Sequence, residues 1–406
     1  MRRLALFVSL AATPAIVAGA QTVPLSRADA VQDAIARSPR SGVLVADTAV
    51  AFAQLLTARA LPNPSLSASY TKSTPMYHVT ADFPVDYLWL HGTRVQAAQL
   101  SRDAARYRYT FGRAMVALDA DTTYTRALAA AARSRLSGRT AQDTDSLRRM
   151  AVARRNAGDA SELDVQLATV SAAQQANIAA ADSLTAVSVL LDLQAILGLP
   201  TNRVEIVLTD SLTEPPTDGA VAQAGATLPV AAADAALQAA LLGSRLQRRS
   251  IWSGAGFMFG FETGDPSSGG TGNAILPTFG VTVPLPFLDR NRGAIALADA
   301  ERLRAEFELA LARVETQSRL AHANRERLNA VGRIARDRVT VAAANQVATM
   351  SLTAYREGAM ALPNVLEAQR TAREVLAQYI DDLAAAWIAA AELRVFSLSP
   401  SPSRPQ

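Results

Sequence analysis

The chain has 406 residues, 40 Lys plus Arg against 36 Asp plus Glu, and no cysteine. That excludes disulfides, thiolate metal sites and an N-terminal lipid anchor of the kind built on cysteine. The formal charge of +4 falls to about +2 once Arg2 and Arg3 are set aside, and the basic groups are nearly all arginine (Lys72 is the only lysine), so nothing points to nucleic acid.

Residues 1–20 read as a signal peptide. Arg2 and Arg3 give a positive start, Leu4 to Val17 an apolar stretch, and Ala18-Gly19-Ala20 a small-residue cleavage site. The mature chain is expected to begin at Gln21. Beyond it, no segment is expected to supply the roughly 18 apolar residues of a membrane-spanning helix. The longest candidate, Leu383 to Ala391, is alanine-rich and reads as helix packing.

Residues 21–60 read as helical throughout. Ser26-Arg27-Ala28-Asp29 has the form of a capping box, Ser38-Pro39 stops a first helix, and a second covers Val45 to Ala60. The period then becomes two. Leu66, Ala68 and Tyr70 alternate with serines, and Tyr77, Val79, Ala81 and Phe83 alternate with His78, Thr80 and Asp82. This predicts a hairpin with one apolar and one polar face. From Gly92 to Gly198 there is no proline, and a helix from Thr93 to about Asn156 would be on the order of 95 Å long. Gly158 interrupts it, and a second long helix runs back to Leu197. Residues 199–227, with Pro215-Pro216, read as a loop. A helix from about Val230 to Arg249 follows, then a hairpin of Ile251–Glu262 and Ile275–Pro286 around a turn-rich loop beginning at Thr263, then long helices Gly293–Arg356 and Leu362–Phe396. In the last helix Val365, Ala368, Ala372, Val375, Tyr379, Leu383, Ala386, Ala390 and Leu393 form a heptad seam with one extra four-residue step.

The second half therefore repeats the first. Pro84/Pro284, Gly158/Gly358 and Val165/Val365 each lie 200 residues apart, and Gly92/Gly293 lie 201 apart. The division is a first structural repeat at 21–198, a linker at 199–227, a second repeat at 228–396 and a tail at 397–406. A duplicated unit places function in an assembled shape rather than in one pocket. Each strand is near the 9 to 11 residues that cross a bilayer, and a spanning sheet must close. Because barrels need about eight strands or more, several copies are required; four strands per copy allow an eight-stranded dimer or a twelve-stranded trimer.

The segments Pro24-Leu25-Ser26-Arg27-Ala28-Asp29-Ala30, Ala58-Arg59-Ala60-Leu61-Pro62-Asn63-Pro64 and Val283-Pro284-Leu285-Pro286-Phe287-Leu288-Asp289-Arg290-Asn291-Arg292-Gly293 resemble the TolC family of outer-membrane efflux proteins. The last is similar to the branch serving heavy-metal exporters of the CzcC and CusC kind. The resemblance implies an α+β, mainly α fold: a homotrimer whose twelve-stranded β-barrel in outer-membrane lipid continues as a periplasmic helical tube. It implies a passive, non-enzymatic exit duct without cofactor, working with a periplasmic adaptor and an inner-membrane pump of the RND type and exporting metal cations or small toxic compounds. The alternatives are a type I secretion duct of the same fold, or a periplasmic adaptor. Two hairpin pairs, each preceded by amphipathic strands, disfavour the adaptor.

The resemblance makes Gly158, Asp159, Ala160, Gly358, Ala359 and Met360 the adaptor-contacting tips. It makes Asp164, Tyr355, Asn364 and Glu367 the periplasmic gate and pore ring. Asn364 lacks a carboxylate and Met360 stands where the best-known member has arginine, so a closing salt-bridge network is not carried over. On their own residue types the glycines are ordinary helix breakers, and Asp164 and Glu367 are solvated helix positions. His78, His91 and His322 lack metal-ligand spacing. The glycines of 254–272 lack the Gly-Lys-Ser/Thr ending of a phosphate loop. Tyr87, Trp89 and Trp252 lie at strand ends, where either an interfacial aromatic belt or core packing would put them.

Overall fold

The computed structural model describes residues 21–73, 75–200, 204–216, 226–263 and 275–400. The expected signal peptide, the loop from Gly264 onward and the end of the tail lie outside the described residues. The elements are β1 (Gln21–Leu25), α1 (Arg27–Arg37), α2 (Pro39–Arg59), β2 (Ser65–Tyr70), β3 (Tyr77–Pro84), α3 (Tyr87–Ala157), α4 (Glu162–Ile196), β4 (Val204–Leu208), α5 (Leu228–Arg249), β5 (Gly256–Thr263), β6 (Leu276–Thr282), α6 (Arg292–Arg356) and α7 (Leu362–Phe396). The chain divides into two compact units: Met1–Ser38 with Asp119–Glu214 and Arg333–Ala384, and Pro39–Leu118 with Pro215–Gly332 and Ala385–Gln406.

The first unit contains a small parallel sheet of β1 and β4, with Gln21 opposite Val204 and Leu25 opposite Leu208. This corrects two expectations, because 21–25 was read as helical and 199–227 as loop. A five-residue strand gives little periodic signal, and its partner lies far along the chain. The sheet is held by a polar cluster built around buried Tyr124. Tyr124 is fully buried, and its hydroxyl lies 2.9 Å from both the Leu25 carbonyl and the Asp210 carboxylate. Burial first, and then Asp210, push the Tyr124 pKa up to about 12. The Arg27 backbone N–H donates to Asp210 at 2.7 Å, and its guanidinium pairs with Asp121. Ser26 caps α1 and accepts from the Asp29 N–H at 3.2 Å, as its sequence form predicts.

The second unit contains the larger sheet, antiparallel throughout, in the order β2-β3-β5-β6. The two sequence hairpins join through β3 and β5, with Tyr77 opposite Thr263 and Pro84 opposite Gly256. The strands run 6, 8, 8 and 7 residues, shorter than the 9 to 11 expected. Strand β5 starts late because a tight helical turn at Ser250–Trp252 precedes it, and β6 stops at Thr282, shortly before Pro284, which cannot donate to a ladder. The outer edges of β2 and β6 have no strand partner within the described residues.

Helix bounds shift where caps decide. Helix α2 begins at Pro39, because proline suits a first helical position. Helix α3 begins at Tyr87 rather than Thr93, since the Asp86 carbonyl already accepts from the Leu90 N–H at 3.1 Å. At 71 residues it rises about 105 Å. Helix α6 starts after Asn291, whose φ of 56° is held by its amide donating to the Gln247 carbonyl at 2.9 Å and to Ser250 Oγ at 2.8 Å. The α7 seam is real: Val365, Ala372, Leu383, Ala386 and Leu393 are all buried. One further correction concerns spans. Among the described residues, Pro39–Arg59 and Glu162–Ile196 are long and apolar enough to cross a membrane by length and composition. Their alanines and polar residues hid this from a reading that sought an unbroken apolar run.

Candidate functional site

Two regions are candidates, the four-stranded sheet of the second unit and the helix-hairpin tips of the first. In the four-stranded sheet, the register gathers one residue class on each face. Leu66 pairs with Ala81, Tyr70 with Tyr77, Val79 with Phe261, Phe83 with Phe257 and Phe259 with Phe279. These rings pack on one another at centroid distances of 5.3 to 5.9 Å. Yet the face they make is open, with Leu66 75% and Phe279 74% exposed. The opposite face carries Ser67 against Thr80 at 2.6 Å, His78 against Glu262 at 3.3 Å, and Asp82. A soluble sheet would bury its phenylalanines and wet its serines. Here the aromatic face is left open by the described residues, which fits a face turned to hydrocarbon. Just past the strands, Leu88, Leu285, Phe287, Leu288 and Trp252 are exposed, whereas Tyr87 and Trp89 are half-buried.

In the first unit, α3–α4 and α6–α7 reverse at matched tips. Gly158 has φ 87° and Gly358 φ 79°, a left-handed turn that favours glycine. Each tip closes with the same pair of bonds. Gly158 N–H donates to the Arg155 carbonyl at 3.0 Å and Asp159 N–H to the Arg154 carbonyl at 2.8 Å; Gly358 N–H donates to the Tyr355 carbonyl at 3.1 Å and Ala359 N–H to the Ala354 carbonyl at 2.8 Å. Beneath them a shared cluster buries Leu147, Ala151, Val165, Ala168, Tyr355, Leu362 and Val365, with Met360 partly buried against it. Arg154 stitches the two hairpins: it donates to the Tyr355 carbonyl at 2.8 Å and lies 5.0 Å from the centre of the Tyr355 ring.

Of the residues expected at a gate, Tyr355 and Asp164 are close enough to interact electrostatically, whereas no hydrogen bond or ion pair among the described residues joins Asn364 or Glu367 to them. Tyr355 is 3% exposed, and its hydroxyl is buried without a hydrogen-bond partner among the described residues. Burial raises its pKa, Arg154 opposes the rise and Asp164 adds to it. The Asp164 carboxylate accepts from the Ser161 N–H at 3.1 Å and the Ser161 hydroxyl at 2.9 Å, so it is engaged in a capping box. Asn364 and Glu367 lie on the exposed face of α7. Glu367 is paired with Arg370 at 2.8 Å, and Arg370 also reaches Glu374 at 3.9 Å. Any ring of Glu367 carboxylates would be a ring of ion pairs. Asp159 is exposed, and Ala160 half-buried. Sequence reasoning missed Arg154 and Arg370; Arg370 had a signal, since it lies three residues from Glu367 on a helix. Among the described residues no group of three or more His, Cys, Asp or Glu side chains is placed to hold a metal ion.

No family model matches the sequence, and no curated protein matches it. Solved structures do match its fold. A membrane protein from Pseudomonas aeruginosa superposes with a TM-score of 0.76 at 18% identity, covering 92% of this chain and 90% of that one. CusC, solved in a study of its folding and transmembrane channel formation, gives 0.74 at 15% identity with 93% of each chain covered. The outer membrane protein VceC from Vibrio cholerae gives 0.74 at 15%, covering 92% and 96%. At these identities the likeness is one of fold, and it spans nearly the whole chain. CusC and VceC are equally similar to it, so identity does not single out a heavy-metal branch.

Proposed function

We propose that the chain is the outer-membrane channel of an export system: a passive, non-catalytic duct formed by three copies. The observation that carries the reading is the sheet with its exposed aromatic face, its polar opposite face and two open edges. In hydrocarbon each unpaired backbone group costs several kcal/mol, so β2 and β6 must find partners on other copies. Three copies of a four-stranded sheet give the twelve-stranded barrel that the resemblance implies. Helix α4 supports the same assembly. Its Leu163, Val170, Leu184 and Leu191 are exposed at multiples of seven residues, a coiled-coil seam left uncovered by the described residues.

The tips are the proposed docking point for a periplasmic adaptor, through Gly158, Asp159, Ala160, Gly358, Ala359 and Met360. Tyr355 with Arg154, and Asp164, Asn364 and Glu367, are proposed to form the mouth. An inner-membrane pump, RND-type by the resemblance, supplies the energy. Metal cations or small toxic compounds are the proposed cargo, carried by the 283–293 segment alone. The expected result is recovery of the protein in outer membranes and, in detergent, a mass of three chains by light scattering. A soluble monomer would overturn the reading.

A further inference from the structure

We propose that a cleft in the first unit, between α3, α4 and α7, binds a small zwitterion with an aliphatic tail, the chemistry an aliphatic amino acid presents. Every wall of the cleft comes from that one unit, so the proposal does not rest on the conduit reading. The cleft has a volume of about 200 Å³, below the roughly 300–1,000 Å³ of a drug-sized site. Leu136 of α3, Ile178 of α4 and Ala377 of α7 give it an apolar lining, and Arg133, Asp182 and Arg373 bring charge to it.

A pair of opposite charges that do not meet marks the cleft as a site. Arg133 and Asp182 stand 25 residues before and 24 residues after Gly158, so the antiparallel α3–α4 hairpin brings them nearly level. Both line the cleft, yet no ion pair joins them among the described residues. The Arg133 guanidinium is held by Asp381 of α7 through Nη2, while its Nε is buried and has no hydrogen-bond partner among the described residues. The half-buried Asp182 carboxylate also has no hydrogen bond or ion pair among the described residues. The other polar groups are engaged. Arg373 donates to Gln175 and lies 3.8 Å from Glu374, and Ser137 Oγ donates to carbonyls of its own helix at 3.0 and 3.2 Å. What is left unmet is one buried N–H and one carboxylate, on neighbouring helices. Buried polar groups are ordinarily hydrogen-bonded. A ligand carboxylate satisfies the Arg133 Nε–H and a ligand ammonium satisfies Asp182, both through charge-assisted bonds. The aliphatic tail then lies on Leu136, Ile178 and Ala377, where the small alanine side chain leaves it room.

The test is isothermal titration calorimetry of the full-length protein in detergent, with leucine as the probe. Saturable binding of one molecule per chain is expected at about millimolar concentration, the scale for a ligand of about nine non-hydrogen atoms. Isocaproate, which lacks the ammonium, and isoamylamine, which lacks the carboxylate, should each bind about tenfold more weakly or worse. Asp182→Asn should weaken leucine binding about tenfold, and Ala377→Leu, which fills the place of the tail, should abolish it. Circular dichroism shows whether each variant is folded, and if one is not, the other decides. No saturable binding up to about 20 mM, leucine binding that ignores both substitutions, or an analogue with one charge that binds as well as leucine overturns the proposal. Each of these outcomes leaves the duct in place, and a soluble monomer that binds leucine in the cleft would overturn the duct alone.

Discussion

The two hairpin tips share one backbone and reach it by different chemistry. Both close through a left-handed glycine and the same pair of backbone bonds, 200 residues apart. Beyond the glycine they part. The first tip enters α4 through Ser161-Glu162-Leu163-Asp164, a reciprocal capping box with Leu163 exposed. The second enters α7 through Ala361-Leu362-Pro363-Asn364, with no hydroxyl to cap it; instead Leu362 is 1% exposed in the shared cluster, and Pro363 fixes the backbone early in the first turn. Both helices bury a valine in that cluster, Val165 and Val365, but the first residues of α4 are set by hydrogen bonds at the surface and those of α7 by burial of Leu362.

The largest effect should come from the anchored tip. Leu362→Ala is expected to destabilise the fold by about 2 to 5 kcal/mol through lost burial and the cavity left behind. Glu162→Ala, at the matched position, should change little by comparison. Denaturant unfolding of both variants in the same detergent reads the contrast, and equal effects would break the distinction between the tips. The glycines should respond alike. Gly158→Val and Gly358→Val each force a β-branched residue into a left-handed turn, at about 1 to 2 kcal/mol. A Cβ at Gly158 meets nothing within 4 Å, and one at Gly358 meets only the Arg154 side chain at an ordinary 3.6 Å. The penalty is thus the backbone's alone. Trimer mass should survive both substitutions, and efflux should fall.

Much of this was legible in the sequence, and the omissions have physical causes. The two tips, the hairpin faces and the α7 seam all followed from periodicity and glycine, because each is a local pattern that burial then reinforces. The β1–β4 sheet was not legible: Gln21–Leu25 and Val204–Leu208 have no hairpin turn between them and carry no alternation long enough to see. Nor was the state of the residues proposed for the gate. That Tyr355 is buried under Arg154 depends on a contact between residues 201 apart. That Asp164 caps its own helix was readable from Ser161 three residues before it.

The caps sharpen the comparison at smaller scale. Ser161→Ala should cost about 1 kcal/mol, the usual loss of an N-cap hydroxyl. Transplanting the device should work in reverse. Asn364 N–H now reaches only the Ala361 carbonyl at 3.2 Å, and Ala361→Ser supplies a side-chain acceptor, worth up to about 1 kcal/mol. Thermal unfolding of the single and double variants measures both. An Ala361→Ser that gains nothing would show that the buried Leu362 already fixes the entry to α7.

The smallest effect belongs to the Arg155–Glu162 pair, which spans the first tip at 2.8 Å and has no counterpart at the second, where Tyr355 and Leu362 occupy the matched positions. The Gln166 amide first, and then Arg155, hold the Glu162 carboxyl below its ordinary range. A depressed acid contributes stability that is present above its unfolded-state pKa and is lost as pH falls through its folded pKa. The difference in Tm between wild type and Glu162→Gln should therefore favour wild type at neutral pH and vanish in acid. Asp337, whose pKa burial and then the Asp382 carboxylate push up, acts with the opposite sign, its contribution being lost as pH rises. It is common to both proteins and drops out of the difference. Both partners are solvent-exposed, so the effect is small, and salt should shrink the part due to Arg155 while sparing the hydrogen bond from Gln166. A difference that stays flat from neutral pH down through the carboxylate range would mean that the pair does not brace the turn, leaving the capping box and Gly158 to hold the first tip.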